Sequence, residues 1–169
     1  MDREESENLQ LKKAMSYANG YRELGMFDDA LEELSRLPES LIDRIEVSQM
    51  KLAIFVEAKD WTAAACAAKN LSLREPADPG HFVNLAFATR RAQSIEEAKA
   101  ILDDAALRFP NVAIIHYNLG CYACQEADLE GAKEKLVAAF SMDPSFLDTA
   151  KGDEDLDMLT DWLDNLEIA

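Results

Sequence analysis

Residues Ala113–Phe146, AIIHYNLGCYACQEADLEGAKEKLVAAFSMDPSF, read as two helical segments joined by a short turn and closed by Asp143-Pro144. The rest of the chain repeats this pattern. Stepping back from Ala132 by 34 residues lands on Ala98, then Ala64, then Ala30. Pro144 steps back to Pro110 and Pro76 on the same lattice. A fixed period of this length, with two helical segments per unit, marks an array of stacked helix pairs.

The turn inside each unit follows the same period. Asp60, Ser94 and Asp128 stand where a helix begins, and each can accept a hydrogen bond from a free backbone N–H there. Ser94 with Glu97 reads as a capping box. One residue on, Phe27, Trp61, Ile95 and Leu129 supply an apolar anchor in every unit. The predicted turns are therefore alike in all four. The first unit is the least regular: its second helix stops at Leu37-Pro38, and one long helix is expected from Glu39 or Ser40 to about Ala58.

Composition agrees with helix throughout. Of 169 residues, 49% are hydrophobic, and six glycines and five prolines are the main interruptions. Seventeen basic against 33 acidic residues give a formal charge of −16, a poor match for nucleic acid or an anionic membrane. No apolar run approaches the ~20 residues of a membrane span, and the charged start Met1-Asp2-Arg3-Glu4-Glu5 does not read as a secretory signal. Three cysteines, an odd number, fit a reducing compartment, so a cytoplasmic location is expected.

The quoted residues resemble the tetratricopeptide repeat. Leu119-Gly120, Ala132, Leu136, Ala139 and Pro144 match its pattern in the fourth unit, and Phe82, Leu85-Ala86, Ala98, Leu102, Ala105 and Pro110 match it in the third. The resemblance implies one domain over 1–169, an all-α right-handed superhelix (α-solenoid). Its repeats would fall at about 11–44, 45–78, 79–112 and 113–146, with a C-terminal capping helix in 147–169. Gly120, Ala18, Ala86 and the lattice alanines are expected where helices cross too closely for larger side chains. In the tail, Leu156, Leu159, Leu163 and Leu166 form one stripe that would cover the end of the array.

The resemblance also implies a concave groove lined by the first helix of each unit. By position it contains Met15, Asn19, Arg22, Gln49, Val56, Val83, Phe87, Arg90, Arg91, Ile114, Tyr117 and Cys121. Apolar anchors with a few charges suit an extended or helical peptide, so a protein or peptide partner is expected. Related arrays clamp acidic chaperone tails with cations. Here the corresponding positions, Met15, Asn19, Met50, Gly80 and Asn84 in one window, carry none. Two further readings fit the composition: a small acidic chaperone similar to those of type III secretion, or a self-associating scaffold. A monomer or weak homodimer is expected.

Catalysis finds no candidate. Cys121-x-x-Cys124 lacks the second pair that a zinc site wants, and cysteines in helical cores usually act as small apolar residues. His81 and His116 read as packing residues, no phosphate loop or nucleophile turn is present, and neither cofactor nor metal is expected.

Overall fold

The computed structural model describes residues 3–166, and its regular elements are helical. In chain order they are α1 (Arg3–Glu23), α2 (Phe27–Ser35), α3 (Glu39–Ile42), α4 (Ile45–Glu57), α5 (Trp61–Arg74) and α6 (Pro79–Ala92). Then follow α7 (Ile95–Arg108), α8 (Ala113–Gln125), α9 (Leu129–Met142), α10 (Ser145–Ala150), a 3-10 turn (Glu154–Leu159) and α11 (Thr160–Asp164). The helices gather into two compact units that part at Ala92/Gln93, inside the third predicted repeat.

The first unit holds α1–α6. Helix α1 packs on α2 and α4, α4 on α5, and α5 on α6. Its core joins Leu11, Ala14, Ala18, Ala30, Leu34, Leu41, Val47 and Ile54. A second cluster of Leu52, Ala64, Ala68, Leu71 and Ala88 lies under α4, α5 and α6. The long helix expected from Glu39 to Ala58 is broken. Arg44 is extended (φ −64°, ψ 147°) and separates α3 from α4. Arg74, at the end of α5, reaches this break: its guanidinium donates to the Asp43 carbonyl and, at 2.9 Å, to Ser48 Oγ. A tertiary contact thus satisfies a backbone group that a continuous helix would have used itself.

The second unit holds α7 to α11. Helix α8 packs most extensively on α9 and also on α7. Lys99 Nζ donates to Glu126 Oε2 at 2.7 Å, which raises the Lys99 pKa. The small residues stand as the period places them: Ala98 and Ala132 in this unit, and Ala30, Ala64 and Ala86 in the first, are fully buried.

Three of the four turns are alike. Gly25, Lys59 and Ala127, three positions of the 34-residue lattice, take the left-handed conformation (φ 73°, 57° and 62°). Behind them the N–H groups of Met26, Asp60 and Asp128 each reach back five residues, at 2.9 Å, to the carbonyls of Tyr21, Phe55 and Ala123. This is a Schellman closure. Asp60 and Asp128 then cap the next helix by accepting from the N–H groups of Ala63 and Gly131 at 3.0 Å.

The third turn departs from the predicted likeness. Ser94 is extended (φ −149°, ψ 164°), and Gln93 avoids the left-handed region. The Ser94 hydroxyl still accepts from Glu97 N–H at 3.1 Å. Glu96, through its own N–H and the Ser94 hydroxyl, holds its carboxylate below the usual range. Left-handed backbone costs a residue with a Cβ about 1–2 kcal/mol. Exposed Ala127 bears that cost, so Ala127→Gly should raise unit stability by about 1 kcal/mol in a urea melt.

Candidate functional site

Helices α1, α4 and α6 of the first unit carry most of the predicted groove residues. Helix α4 is packed on two sides, with Ile54 in the first cluster and Leu52 in the second, and α6 buries Ala86 and Ala88, which leaves a narrower strip of each helix toward solvent. Met15, Asn19, Arg22, Val56, Val83, Phe87 and Arg90 are half-buried, while Gln49 and Arg91 are exposed. Between α4 and α6 the surface opens into a cleft of about 430 Å³. Gln49, Ala53, Val56 and Glu57 line one side, Gly80, His81 and Asn84 the other, and Leu52 and Leu71 reach its floor.

Two arginines of this face are held in place. Arg22 pairs with Glu57 of α4 and donates from Nη2 to Asn19 Oδ1 at 2.8 Å. Asn19 in turn donates to Glu23 at 2.8 Å. Arg91 lies over the Phe87 ring at 3.7 Å and the Trp61 ring at 5.1 Å, and Phe87 meets Trp61 edge-on at 5.8 Å. Such stacking is worth about 0.5–1 kcal/mol at an exposed site. It fixes the guanidinium beside the apolar rings, where Nη1 also donates to the Phe87 carbonyl at 3.2 Å.

The fourth-repeat positions are different. Ile114 is half-buried, but Tyr117 and Cys121 are covered, at 5% and 3% exposure. They are therefore not an open surface as the sequence reading had them. The cover is the C-terminal segment, whose 3-10 turn packs on α8. Tyr117 stacks on Phe146 with ring centroids 4.9 Å apart. Its hydroxyl donates to Asp153 Oδ2 at 2.7 Å, and Gln125 Nε2 donates to the Asp155 carbonyl at 2.9 Å. The other Asp153 oxygen accepts from Asp155 N–H at 3.0 Å and opens the 3-10 turn.

The physical reason is the tail's leucine stripe. Leu156, Leu159 and Leu163 are each at most 2% exposed, and burying a leucine is worth about 1.5–3 kcal/mol. Two short helices and a 3-10 turn do this, where a single capping helix is predicted.

Under that cover the thiols are muted. Burial, then the Asp153 and Asp155 charges, push the Cys121 thiol far up, and burial likewise raises Cys124. Tyr117 is raised by burial and by its bond to Asp153. A nucleophilic or redox thiol needs the opposite setting, with positive charge and partial exposure. His116 Nε2 bonds the Pro110 carbonyl at 2.8 Å, and His81 is buried at 4% exposure, with Nε2 2.8 Å from Glu75 Oε2. The sequence reading missed both Asp153 and the Glu75–His81 pairing. Asp153 acts across 36 residues, where no local spacing points to it. Glu75, Asp78 and His81 do share one loop, but its prolines read simply as a turn.

These helices define an all-α helical-repeat fold. Solved structures share it: MamA 41-end from Desulfovibrio magneticus RS-1 aligns at a TM-score of 0.68 and 17% identity, over 80% of this chain and 76% of that one. The MamA RS-1 ArsTM double mutant gives 0.67 and 17% over the same shares. MamA MSR-1 C2 gives 0.64 and 19%, over 80% of this chain and 78% of that one. No family model matches the sequence, and no curated protein matches it. The likeness is one of fold. Among the described residues, no helix is long and apolar enough to cross a membrane.

Proposed function

We propose that this chain is a non-enzymatic protein-interaction module that holds a peptide or helix of a partner protein against α1, α4 and α6. The observation that carries the reading is the α4–α6 cleft. Its volume of about 430 Å³ lies within the range of sites that accept ligand groups. Apolar Val56 and Ala53 sit beside polar Gln49 and Asn84, a mix suited to anchoring a side chain and pairing with peptide backbone. Val83, Phe87 and the stacked Arg91 continue the surface along α6. The muted thiols support a binding role over a chemical one. Helical-repeat folds serve many ends, so the structural likeness supports the scaffold and leaves the function to this surface.

Peptide selection against the intact chain should yield sequences with an apolar anchor residue. Phe87→Ala and Asn84→Arg should each weaken a selected peptide by about tenfold, or 1.4 kcal/mol, in calorimetry. Asn84 is exposed, so its variant should melt like the parent. Undiminished binding by both variants would exclude this surface.

A further inference from the structure

We propose that Glu75, Asp78 and His81 bind a divalent transition-metal ion of the zinc class on the wall of the α4–α6 cleft. The inference goes beyond the peptide reading and does not depend on it. The three residues lie on the loop Glu75-Pro76-Ala77-Asp78-Pro79-Gly80-His81, between the end of α5 and the first turn of α6. One donor atom from each falls within 4.8 Å of the others. His81 Nε2 is 2.8 Å from Glu75 Oε2 and 3.6 Å from Asp78 Oδ2.

The donors are held, not merely close. Asp78 Oδ1 accepts from Gly80 N–H at 2.8 Å, which turns Oδ2 toward the imidazole. The His81 side chain is 5% exposed and cannot swing out, while two prolines stiffen the loop. Bonds of about 2.0–2.2 Å in tetrahedral geometry place donors about 3.3–3.6 Å apart. Of the two edges that meet at His81 Nε2, the one to Asp78 already has that spacing, and the one to Glu75 opens by about half an ångström when a cation replaces the hydrogen bond. The third edge, between the two carboxylates, lies within 4.8 Å, and the partly exposed Glu75 side chain can adjust it.

Charge favours an ion here. Two carboxylates face one imidazole, so even a protonated ring leaves an excess negative charge. The positive end of α6 offsets only about half a unit of it. An imidazole with two carboxylates suits zinc, cobalt or nickel better than calcium or magnesium, which prefer oxygen alone. Asp78 and His81 also line the cleft, so the remaining coordination positions open onto it, where water or a partner's carboxylate can enter.

The test titrates the full, reduced chain with zinc by calorimetry and with cobalt by absorbance, using the metals alone. One-to-one binding is expected, with a cobalt spectrum free of thiolate charge-transfer bands. His81→Gln, Glu75→Gln and Asp78→Asn should each weaken it by at least about tenfold. Replacing Cys66, Cys121 and Cys124 by serine should leave it unchanged. No binding at millimolar zinc overturns the proposal, as does undiminished binding by His81→Gln or loss in the serine variant. None of these outcomes bears on the peptide surface, which is tested without metal.

Discussion

Deleting residues 153–169 is expected to turn two unreactive thiols into reactive ones. In the intact chain Cys66 is exposed, whereas Cys121 and Cys124 are buried under the C-terminal segment. A disulfide reagent at neutral pH should therefore titrate one thiol quickly and two slowly. The attacking species is the thiolate, and its population falls tenfold for each unit by which the pKa is raised above ambient pH. Burial raises both thiols, and Asp153 and Asp155 add their charge against ionisation. Removing the segment removes both causes. The two slow rates should rise by at least about tenfold, toward the Cys66 rate. Asp153→Asn keeps the leucines seated and removes one charge, so it should give a smaller rise. If Cys121 reacts as fast as Cys66 in the intact chain, the segment does not rest on α8.

The same glycine substitution should have opposite signs at two places. An ideal Cβ at Gly120 would lie 2.7 Å from Leu136 Cγ, 2.9 Å from Leu136 Cδ2 and 3.3 Å from the Ala132 carbonyl. Leu136 is fully buried and the carbonyl is backbone, so neither yields easily. Overpacking costs about 1–3 kcal/mol, against a gain of up to ~1 kcal/mol in helix propensity. Gly120→Ala should thus lower stability by about 1–2 kcal/mol. At Gly20, inside α1, a Cβ would meet nothing within 4 Å. Gly20→Ala should then gain about 0.5–1 kcal/mol. Chemical denaturation of both variants checks the pair, and a stabilising Gly120→Ala would mean that α8 and α9 do not approach this closely.

Gly120, the lattice alanines and the caps Asp60, Ser94 and Asp128 were legible in the sequence because they answer to local geometry. A helix start needs a side-chain acceptor and a close crossing needs a small residue, and both recur with the period. Arg44 and Asp153 were not legible. The break between α3 and α4 is joined by Arg74, 31 residues after Asp43, and Asp153 meets Tyr117 through space. Periodicity reports which face a residue occupies, not what later covers that face. Hence Met15, Val56 and Phe87 are half-buried and Gln49 is exposed, as the pattern predicts, while Tyr117 and Cys121 are covered by the C-terminal segment. The division at Ala92/Gln93 falls at the turn whose backbone departs from the other three, a departure that the shared cap at Ser94 conceals.

Backbone amide shifts recorded during titration with a selected peptide test the central claim most directly. Binding against α1, α4 and α6 predicts the largest shifts at Gln49, Ala53, Val56 and Asn84. A second cleft, of about 350 Å³, lies across α4 and α5 among Phe55, Ala63, Cys66, Ala67 and Asn70. Shifts confined to Ala63, Cys66 and Asn70, with Gln49 and Asn84 unmoved, would contradict the account.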